Sequence, residues 1–423
     1  MEFFTSVKPT FYKSGEHHID SSRIDSDALY VLNVLHNAGH TAYLVGGGVR
    51  DLLSGIKPKD FDISTSATPQ EIKDIFRRKC LLIGRRFRLA HIRFGASKFI
   101  EVATFRSGSH LGTDKLIVRD NEWGTEEEDV LRRDFTINGL FYDPHDDTLI
   151  DYVGGCEDIT KKVLRSIGDP VIRFKQDPVR MIRLLKFQSR FGYAIDAEAS
   201  EALECCRDEI TKSSQARLLE EFYKMLESGS SASFFRLMFD AGFLDILLPA
   251  IAKNIRSDAS GSLFSYLEAA DALVTQSQGP CPDRAILASC IFFPLVNTAI
   301  SSSSDVSTLS FGDIMEITRD VIGNVSATSF FNFPRRLLHM ASFIIHTQYR
   351  FTPISDVHFR YSRLLRHEEF HLALVFLKLR TLIDGDIIKA YSLWQRRWDN
   401  TDKSHIPVKK TSTQRPRRRR RPR

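Results

Sequence analysis

The sequence of 423 residues has few cysteines and no long apolar segment. Its six cysteines include no CxxC spacing, which argues against both a zinc ribbon and a disulfide framework in a chain of this size. The N-terminal stretch lacks the apolar core of a secretory signal. The longest apolar run, from Ile286 to Val296, is about half as long as a membrane span and contains Pro294. The sequence therefore predicts a protein of the cytoplasm, a reducing compartment, with no membrane among its partners.

Acidic residues are scarce at the C-terminus. Positions 401–423 contain ten Lys or Arg and one Asp, a charge of +9, although the whole chain carries only +6. Residues 1–400 are therefore slightly acidic, at −3. The chain is 42% apolar and 26% charged, so most of it should fold. The tail cannot bury a core, and a disordered Arg/Pro-rich segment is predicted there.

Hydrophobic periodicity changes once along the chain. Residues 26–150 alternate between short β-type runs and helical stretches, whereas almost everything after Asp151 has helical periodicity. The predicted fold is α+β, with a small sheet and helices in an N-terminal head, followed by an all-α neck and body. The predicted boundaries are 1–25 for a flexible arm, 26–150 for the head, 151–240 for the neck, 241–400 for the body and 401–423 for the tail.

Two aspartates flank a phenylalanine in Asp60-Phe61-Asp62. Side chains alternate along a strand, so both carboxylates should project from one side of the sheet while Phe61 and Ile63 face the core. Two carboxylates on one strand face supply the oxygen ligands that Mg²⁺ prefers. Alone the pattern is a weak signal, because D-x-D is also common at solvated strand ends.

A glycine turn precedes these aspartates. Gly46-Gly47-Gly48 lies between a predicted strand, Thr41–Val45, and a short predicted helix. Glycines let the backbone approach a phosphate, and the amides of a helix start attract anions. Arg50, one turn further on, could form paired hydrogen bonds with a phosphate. A glycine turn followed by a strand of carboxylates indicates a nucleotide site more strongly than either part alone.

The segment from Leu44 to Asp62 resembles the first signature of the class II nucleotidyltransferases. This family comprises the bacterial-type poly(A) polymerases and the tRNA CCA-adding enzymes, within the DNA polymerase beta superfamily. Four further segments resemble its later signatures in order: 132–139, 151–155 with Asp158, 176–180 with Arg183, and 216–221. The resemblance implies a polymerase beta-like nucleotidyltransferase head and a neck that recognises the base and binds RNA.

The resemblance also implies roles for the acidic residues. Asp60 and Asp62 would hold the metals, with two Mg²⁺ ions expected. Asp134 would be a third catalytic acid, and Glu101, on a predicted strand, is the alternative for that position.

The nucleotide-binding residues are implied in the same way. The triphosphate of the ATP substrate would be contacted by Gly46, Gly47 and Arg50, the nucleotide by Arg133, and the incoming base by Asp177, Arg180 and Arg183 on a predicted helix, 177–191. The alternative for these last three is an ordinary surface ion pair. Two departures from the family pattern are Gln176, where many members have Glu, and Lys186, where Arg is usual.

Three functions are compatible with these features. The leading hypothesis is a template-independent polynucleotide adenylyltransferase, which adds AMP from ATP to RNA 3′ ends and releases pyrophosphate by a two-metal mechanism. The run from Leu81 to Ile92 is similar to a stretch that marks poly(A) polymerases, and the basic tail resembles their C-terminal extensions. The alternatives are a CCA-adding enzyme that uses CTP and ATP, and an RNA-binding adaptor with an inactive head. The expected partners are RNA 3′ ends, single-stranded or structured, and RNA-decay or RNA-processing proteins.

Overall fold

The computed structural model describes residues 8–84, 89–95, 98–108, 116, 122–258, 260–276, 281–303, 308–353 and 361–401. The chain forms two compact units, the first comprising 1–221 with 240–242 and the second 222–239 with 243–423. The sequence predicts three folded parts, head, neck and body, whereas the structure divides into two units, so the predicted boundaries remain predictions. The predicted tail lies outside the described residues from position 402 onward.

A mixed sheet of eight strands forms the centre of the first unit. Its strands are β1 Thr10–Tyr12, β2 Ala42–Val45, β3 Asp62–Thr65, β4 Cys80–Ile83, β5 Leu89–Phe94, β6 Lys98–Thr104, β7 Leu140–Asp143 and β8 Thr148–Asp151. They are arranged in the order β1-β8-β7-β2-β3-β6-β5-β4. Only β3 and β6 run parallel; the other neighbouring pairs are antiparallel. The strand that begins with Asp62 therefore lies inside the sheet, between β2 and β6.

Helices pack around this sheet and continue beyond it in the first unit. They are α1 Ser26–Asn37, α2 Gly47–Leu53, α3 Pro69–Phe76, α4 Glu126–Leu131, α5 Gly155–Lys161, α6 Pro170–Gln176, α7 Val179–Phe191 and α8 Ala197–Cys205. One core cluster contains Val31 and Leu35 of α1 together with Leu44 and Ile63 of the sheet. A second cluster is built around Phe141. The sheet is thus buried against apolar side chains in two separate clusters.

Two sequence predictions for this unit are wrong. Residues 1–25 are predicted to be a flexible arm, but Thr10–Tyr12 form the edge strand β1, in which Phe11 lies opposite Ile150 of β8. No strand is predicted after Asp151, yet β9 (Val163–Leu164) and β10 (Ala194–Ile195) form a parallel pair. Strands of two or three residues are too short to show an alternating pattern, so periodicity cannot reveal them.

Helices and the turns between them make up the described residues of the second unit, and no strand occurs among them, as predicted for an all-α body. Its helices are α10 Ser231–Asp240, α11 Phe243–Leu247, α12 Pro249–Ser257, α13 Ser262–Gln276, α14 Arg284–Ser301, α15 Phe311–Thr328, α16 Arg335–Phe351, α17 Ser362–Leu365, α18 Phe370–Arg380 and α19 Ile388–Asp399. The preceding helix, α9 (Gln215–Leu226), begins in the first unit and ends in the second.

Helix α14 is the most apolar of these helices and contains the apolar run from Ile286 to Val296. It continues through Pro294, a residue that removes one backbone hydrogen bond from a helix interior. By length and composition alone α14 could cross a membrane, but 67% of it is buried inside the protein. A buried core helix of a water-soluble fold has the same composition, so this helix is weak support for a membrane span.

Candidate active site

Asp62 is the first residue of β3, and Asp60 lies two residues before it. Phe61 and Ile63 are buried, whereas both aspartates are exposed, so the predicted alternation is present. In the antiparallel pairing with β2, Asp62 lies opposite Val45, the last residue before the glycine turn. The two exposed carboxylates and the glycine turn therefore share one end of the sheet.

Glu101 is the neighbour of Asp62 on the adjacent strand. The parallel register of β3 and β6 pairs the two residues directly, which places their side chains on the same face of the sheet. His91 on β5 is the next residue across, and its Nε2 lies 3.2 Å from Oε1 of Glu101. The His91 ring stacks on Phe99 with 4.2 Å between ring centroids. The sheet thus aligns one aspartate, one glutamate and one histidine across three strands.

The glycine turn packs directly onto the backbone that carries the aspartates. Gly46 has a φ of +66°, a conformation that favours glycine. A Cβ atom on Gly48 would lie 3.3 Å from the carbonyl oxygen of Asp60 and 3.5 Å from the Phe61 ring. A side chain at position 48 would therefore require the two segments to separate by a few tenths of an ångström.

Two arginines lie beside this turn, and both donate to protein groups. Arg50 is buried, with Nη2 2.7 Å from Oδ1 of Asp51 and Nη1 2.6 Å from Oδ1 of Asn138. Arg133 donates from Nη2 to Oδ2 of Asp129 at 2.8 Å and to the Ser64 hydroxyl at 3.0 Å. A Cβ on Gly46 would lie 3.5 Å from Nη1 of Arg133, so Arg133 lines the turn itself.

Asp134 is enclosed by hydrogen-bond donors. Its Oδ2 lies 2.6 Å from Nη2 and 2.7 Å from Nε of Arg183, while Oδ1 accepts from the backbone of Phe135 and from Nδ2 of Asn138. Burial opposes ionisation, but Arg183 and Asn138 outweigh it and hold the pKa of the Asp134 carboxyl well below its usual range. The structure therefore places Asp134 in an internal ion pair.

Asp177 and Arg180 occupy the junction of two helices. Helix α7 begins at Val179, so Asp177 ends α6 instead of sharing the predicted helix with Arg180. Its carboxylate accepts two hydrogen bonds from Arg217, at 3.0 and 2.8 Å. Arg180 is buried and donates from Nη2 to the Arg132 carbonyl at 2.9 Å. In the described part of the chain its Nη1 is buried without a hydrogen-bond partner.

Several supporting residues are not identified by sequence reasoning. Arg217 lies within the fifth signature, but nothing in its pattern shows that it would pair with Asp177. Glu221 of α9 accepts hydrogen bonds from two residues of α7, Arg183 at 3.3 Å and Lys186. These two bonds join α7 to α9. Arg173 donates to Gln176 at 2.9 Å, and burial, followed by the charge of Arg180, lowers its pKa to about 9. These pairs join segments that are distant in sequence, so local patterns carry no signal for most of them.

The exposed carboxylates fit a magnesium ion by their donor chemistry. In the described ranges no group of three or more His, Cys, Asp or Glu side chains is arranged to hold a metal ion. Mg²⁺ does not require such a cage, because it commonly binds one or two carboxylates together with waters and substrate phosphates. Asp60, Asp62 and Glu101 offer hard oxygen donors at one end of the sheet, so the residues are suited to this ion.

Comparison with known proteins supports the same interpretation. Three family models match: the poly A polymerase head domain over residues 42–165, the probable RNA and SrmB-binding site of polymerase A over 192–255, and the polymerase A arginine-rich C-terminus over 318–423. The chain is 35% identical to poly(A) polymerase I of Escherichia coli O6:H1 over 87% of this chain and 81% of that protein. It is 34% identical to the CCA-adding enzyme of Bacillus velezensis over 61% of this chain and 65% of that protein.

A solved structure has the same fold. The Bacillus stearothermophilus CCA-adding enzyme in complex with CTP matches with a TM-score of 0.60 and 22% identity, over 88% of this chain and 81% of that one. The sheet architecture and the sequence matches together define a nucleotidyltransferase. Within that class, the chain belongs to the bacterial poly(A) polymerase family. The predicted family, the α+β fold and the enzyme class, polynucleotide adenylyltransferase, are confirmed.

Proposed function

We propose that this protein adds AMP from ATP to RNA 3′ ends without a template and releases pyrophosphate. The supporting observation is the extent of the likeness: poly(A) polymerase I matches over 87% of the chain, and the CCA-adding enzyme over 61%. In this reaction the ribose 3′-oxygen of the RNA forms a bond to the α-phosphorus of ATP, and the bond from that phosphorus to pyrophosphate breaks.

The carboxylates at the start of β3 are the proposed catalytic residues. Asp60 and Asp62 would hold Mg²⁺, which would lower the pKa of the 3′-hydroxyl and neutralise charge on the triphosphate. Glu101 takes the position of the third acid in this proposal, because it pairs with Asp62 across the sheet. Asp134 is instead proposed to fix Arg183 and the segment that carries Arg133.

The glycine turn is the proposed site of the triphosphate. Gly46 and Gly47 place no side chain between the backbone and a phosphate, Gly47 is partly exposed, and Arg133 lies beside the turn with its guanidinium partly exposed. Arg50 supports the turn from within the protein, since its guanidinium N–H groups donate hydrogen bonds to Asp51 and Asn138. Its proposed contribution to triphosphate binding is therefore mainly to position α2.

The incoming base is proposed to bind at Asp177 and Arg180. A carboxylate acceptor next to a guanidinium donor matches the edge of adenine, where an amino group lies beside a ring nitrogen acceptor. The buried Nη1 of Arg180 is a donor with no partner in the described residues, and Arg217 fixes the Asp177 carboxylate. Arg183 is proposed to hold this region in place through Asp134 and Glu221.

A CCA-adding activity is the second candidate. The sequence likeness to the Bacillus velezensis enzyme favours it, and cytosine presents the same amino-then-acceptor edge as adenine. The third hypothesis, an inactive adaptor, is disfavoured because two exposed aspartates remain beside an intact glycine turn.

The test is primer extension on two RNAs, a generic single-stranded RNA and a tRNA that lacks its 3′ end. Each would receive Mg²⁺ with ATP alone, CTP alone or both. Long products from ATP on the generic RNA are expected. Addition that requires CTP, ends after about three nucleotides and occurs only on tRNA would establish CCA addition instead. Absence of incorporation on either RNA would favour the adaptor.

RNA retention by the basic tail is proposed as a separate property. Removal of residues 401–423 takes away ten cationic side chains and one acid. We expect weaker RNA binding and a smaller dependence of the affinity on salt, because fewer counterions are released. Filter binding over a salt series measures both, and an unchanged slope would exclude this role.

A further inference from the structure

A cavity of about 640 Å³ lies in the second unit, between α15, α16 and the segment around α17. Its size is typical of sites for small ligands. Three arginines (Arg319, Arg350 and Arg363) and three histidines are among its lining residues. Among the described residues, no aspartate or glutamate lines it. The cavity therefore combines a ligand-sized volume with walls of one charge sign.

Two of the arginines, Arg319 and Arg363, give the cavity a positive charge that no ion pair within the described part of the chain neutralises. Neither Arg319 nor Arg363 forms an ion pair with another residue of the described ranges, and both are exposed. Burial, followed by the neighbouring His367, lowers the pKa of His346 to about 4, so this ring is neutral at pH 7. Glu369 lies beside the cavity, with its Oε2 4.0 Å from Nδ1 of the lining residue His339. The guanidinium groups are thus suited to an anion, above all to a phosphate.

The same cavity has flat aromatic surfaces. The His367 and Phe343 rings stack at 3.8 Å between centroids with an interplanar angle of 11°. The guanidinium of Arg350 lies 3.6 Å from the centroid of Phe311. Thr347 also lines the cavity, and its fully buried hydroxyl has no hydrogen-bond partner in the described part of the chain. Stacked rings beside arginines are the combination that single-stranded nucleic acids bind.

We propose that this cavity binds a nucleotide unit of single-stranded RNA, with a phosphate on Arg319 and Arg363 and the base against the stacked Phe343 and His367 rings. A free nucleotide carries the same phosphate and base, so the experiment must separate these two sources. The choice of RNA as the main ligand rests on the proposed function. The binding measurement is independent of the proposed activity, because no ATP is present and no nucleotide is added to the RNA.

The experiment uses the full chain carrying Asp62→Asn and measures fluorescence anisotropy of fluorescein-labelled pentaadenylate in a salt series without ATP. The double variant Arg319→Gln/Arg363→Gln removes two charges from the cavity. The matched control, Arg335→Gln/Arg366→Gln, removes two charges from exposed arginines of the same unit that do not line the cavity. Circular dichroism checks that each variant is folded. His367→Ala is tested separately.

The cavity double variant is expected to weaken pentaadenylate binding about tenfold. Its salt slope should fall by about 0.7, because one phosphate of the single strand is no longer neutralised. The control should change affinity less than about twofold. His367→Ala should weaken binding about fivefold with an unchanged slope, because stacking involves no counterions.

Competition then identifies the source of the nucleotide. Displacement by unlabelled pentaadenylate but not by AMP supports RNA as the ligand, and displacement by both supports a pocket that also accepts free nucleotides. Equal affinities and slopes for the cavity and control double variants would overturn the proposal. A protein that binds as expected but fails in primer extension would refute the adenylyl transfer and leave the pocket standing.

Discussion

Four acidic side chains of the first unit form two contrasting groups. Asp60 and Asp62 are exposed where the internal strand β3 begins. Asp51 and Asp134 lie largely inside the protein, and arginines donate to both. Burying a charge is unfavourable unless a partner compensates it, so the second group stabilises the fold only as pairs. The first group remains accessible to a cation and a substrate, which is the property that a catalytic carboxylate requires.

The sharpest test of this contrast is Asp62→Asn. Incorporation of AMP should fall about a thousandfold, because a carboxylate for the cation is lost where charge develops. The free energy of unfolding should change by less than about 0.5 kcal/mol, since the side chain is exposed. Primer extension and thermal unfolding measure the two effects. Asp146→Asn, an exposed aspartate in the β7–β8 turn, is the control and should keep full activity.

Asp134→Asn should affect stability more than it affects catalysis, the reverse of Asp62→Asn. It leaves Arg183 without its main carboxylate partner, and the protein should lose about 3 kcal/mol of stability. Denaturant unfolding measures this loss. A variant with wild-type stability and no incorporation would instead make Asp134 a catalytic acid and remove the distinction between the two groups.

Glu101→Gln tests the assignment of the third carboxylate. We expect a loss of about a hundredfold in incorporation with little change in melting temperature, because Glu101 is partly exposed beside Asp62. The incorporation rate of Glu101→Gln is compared with that of Asp134→Asn, which is measured at a temperature where Asp134→Asn is fully folded. If it loses more activity than Glu101→Gln under those conditions, the assignment is reversed.

The pH dependence of stability should also separate the groups. The pKa of Asp134 is lowered in the folded protein, so its contribution is fully present above the unfolded value of about 4 and is lost as the pH falls below it. Unfolding free energies between about pH 6 and pH 3 should therefore fall more steeply for the wild type than for Asp134→Asn. Parallel curves would contradict the internal ion pair.

His91→Ala is expected to have the smallest effect. The ring contacts Glu101 and stacks on Phe99, so its removal leaves the carboxylate less well oriented. Incorporation should fall about threefold, with an unchanged KM for ATP. His91→Gln retains a donor and should recover part of the loss, whereas equal rates for both variants would show that the contact does not orient Glu101.

Local patterns predicted some parts of this site and could not predict others. The alternation in Asp60-Phe61-Asp62 and the glycine turn are local, and both occur where expected. The pairing of Asp62 with Glu101 depends on strand register, and the Asp177–Arg217 pair depends on the packing of α9; neither follows from spacing. The helix predicted from Asp177 begins two residues later because Asp177, with Pro178 after it, ends the preceding helix. The run from Leu81 to Ile92, which is similar to a stretch of the poly(A) polymerases, stays untested at residues 85–88, because these lie outside the described residues.

The strand order has a consequence for the folding of the nascent chain. β2, which leads into the glycine turn, pairs with β7, roughly 100 residues later, and β1 pairs with β8 near Asp151. Sheets dominated by such distant contacts fold in milliseconds to seconds, because long loops must close first. The sheet around Asp62 therefore cannot be completed until about residue 151 has been synthesised, and ribosome-bound fragments that end earlier should be inactive and prone to aggregation.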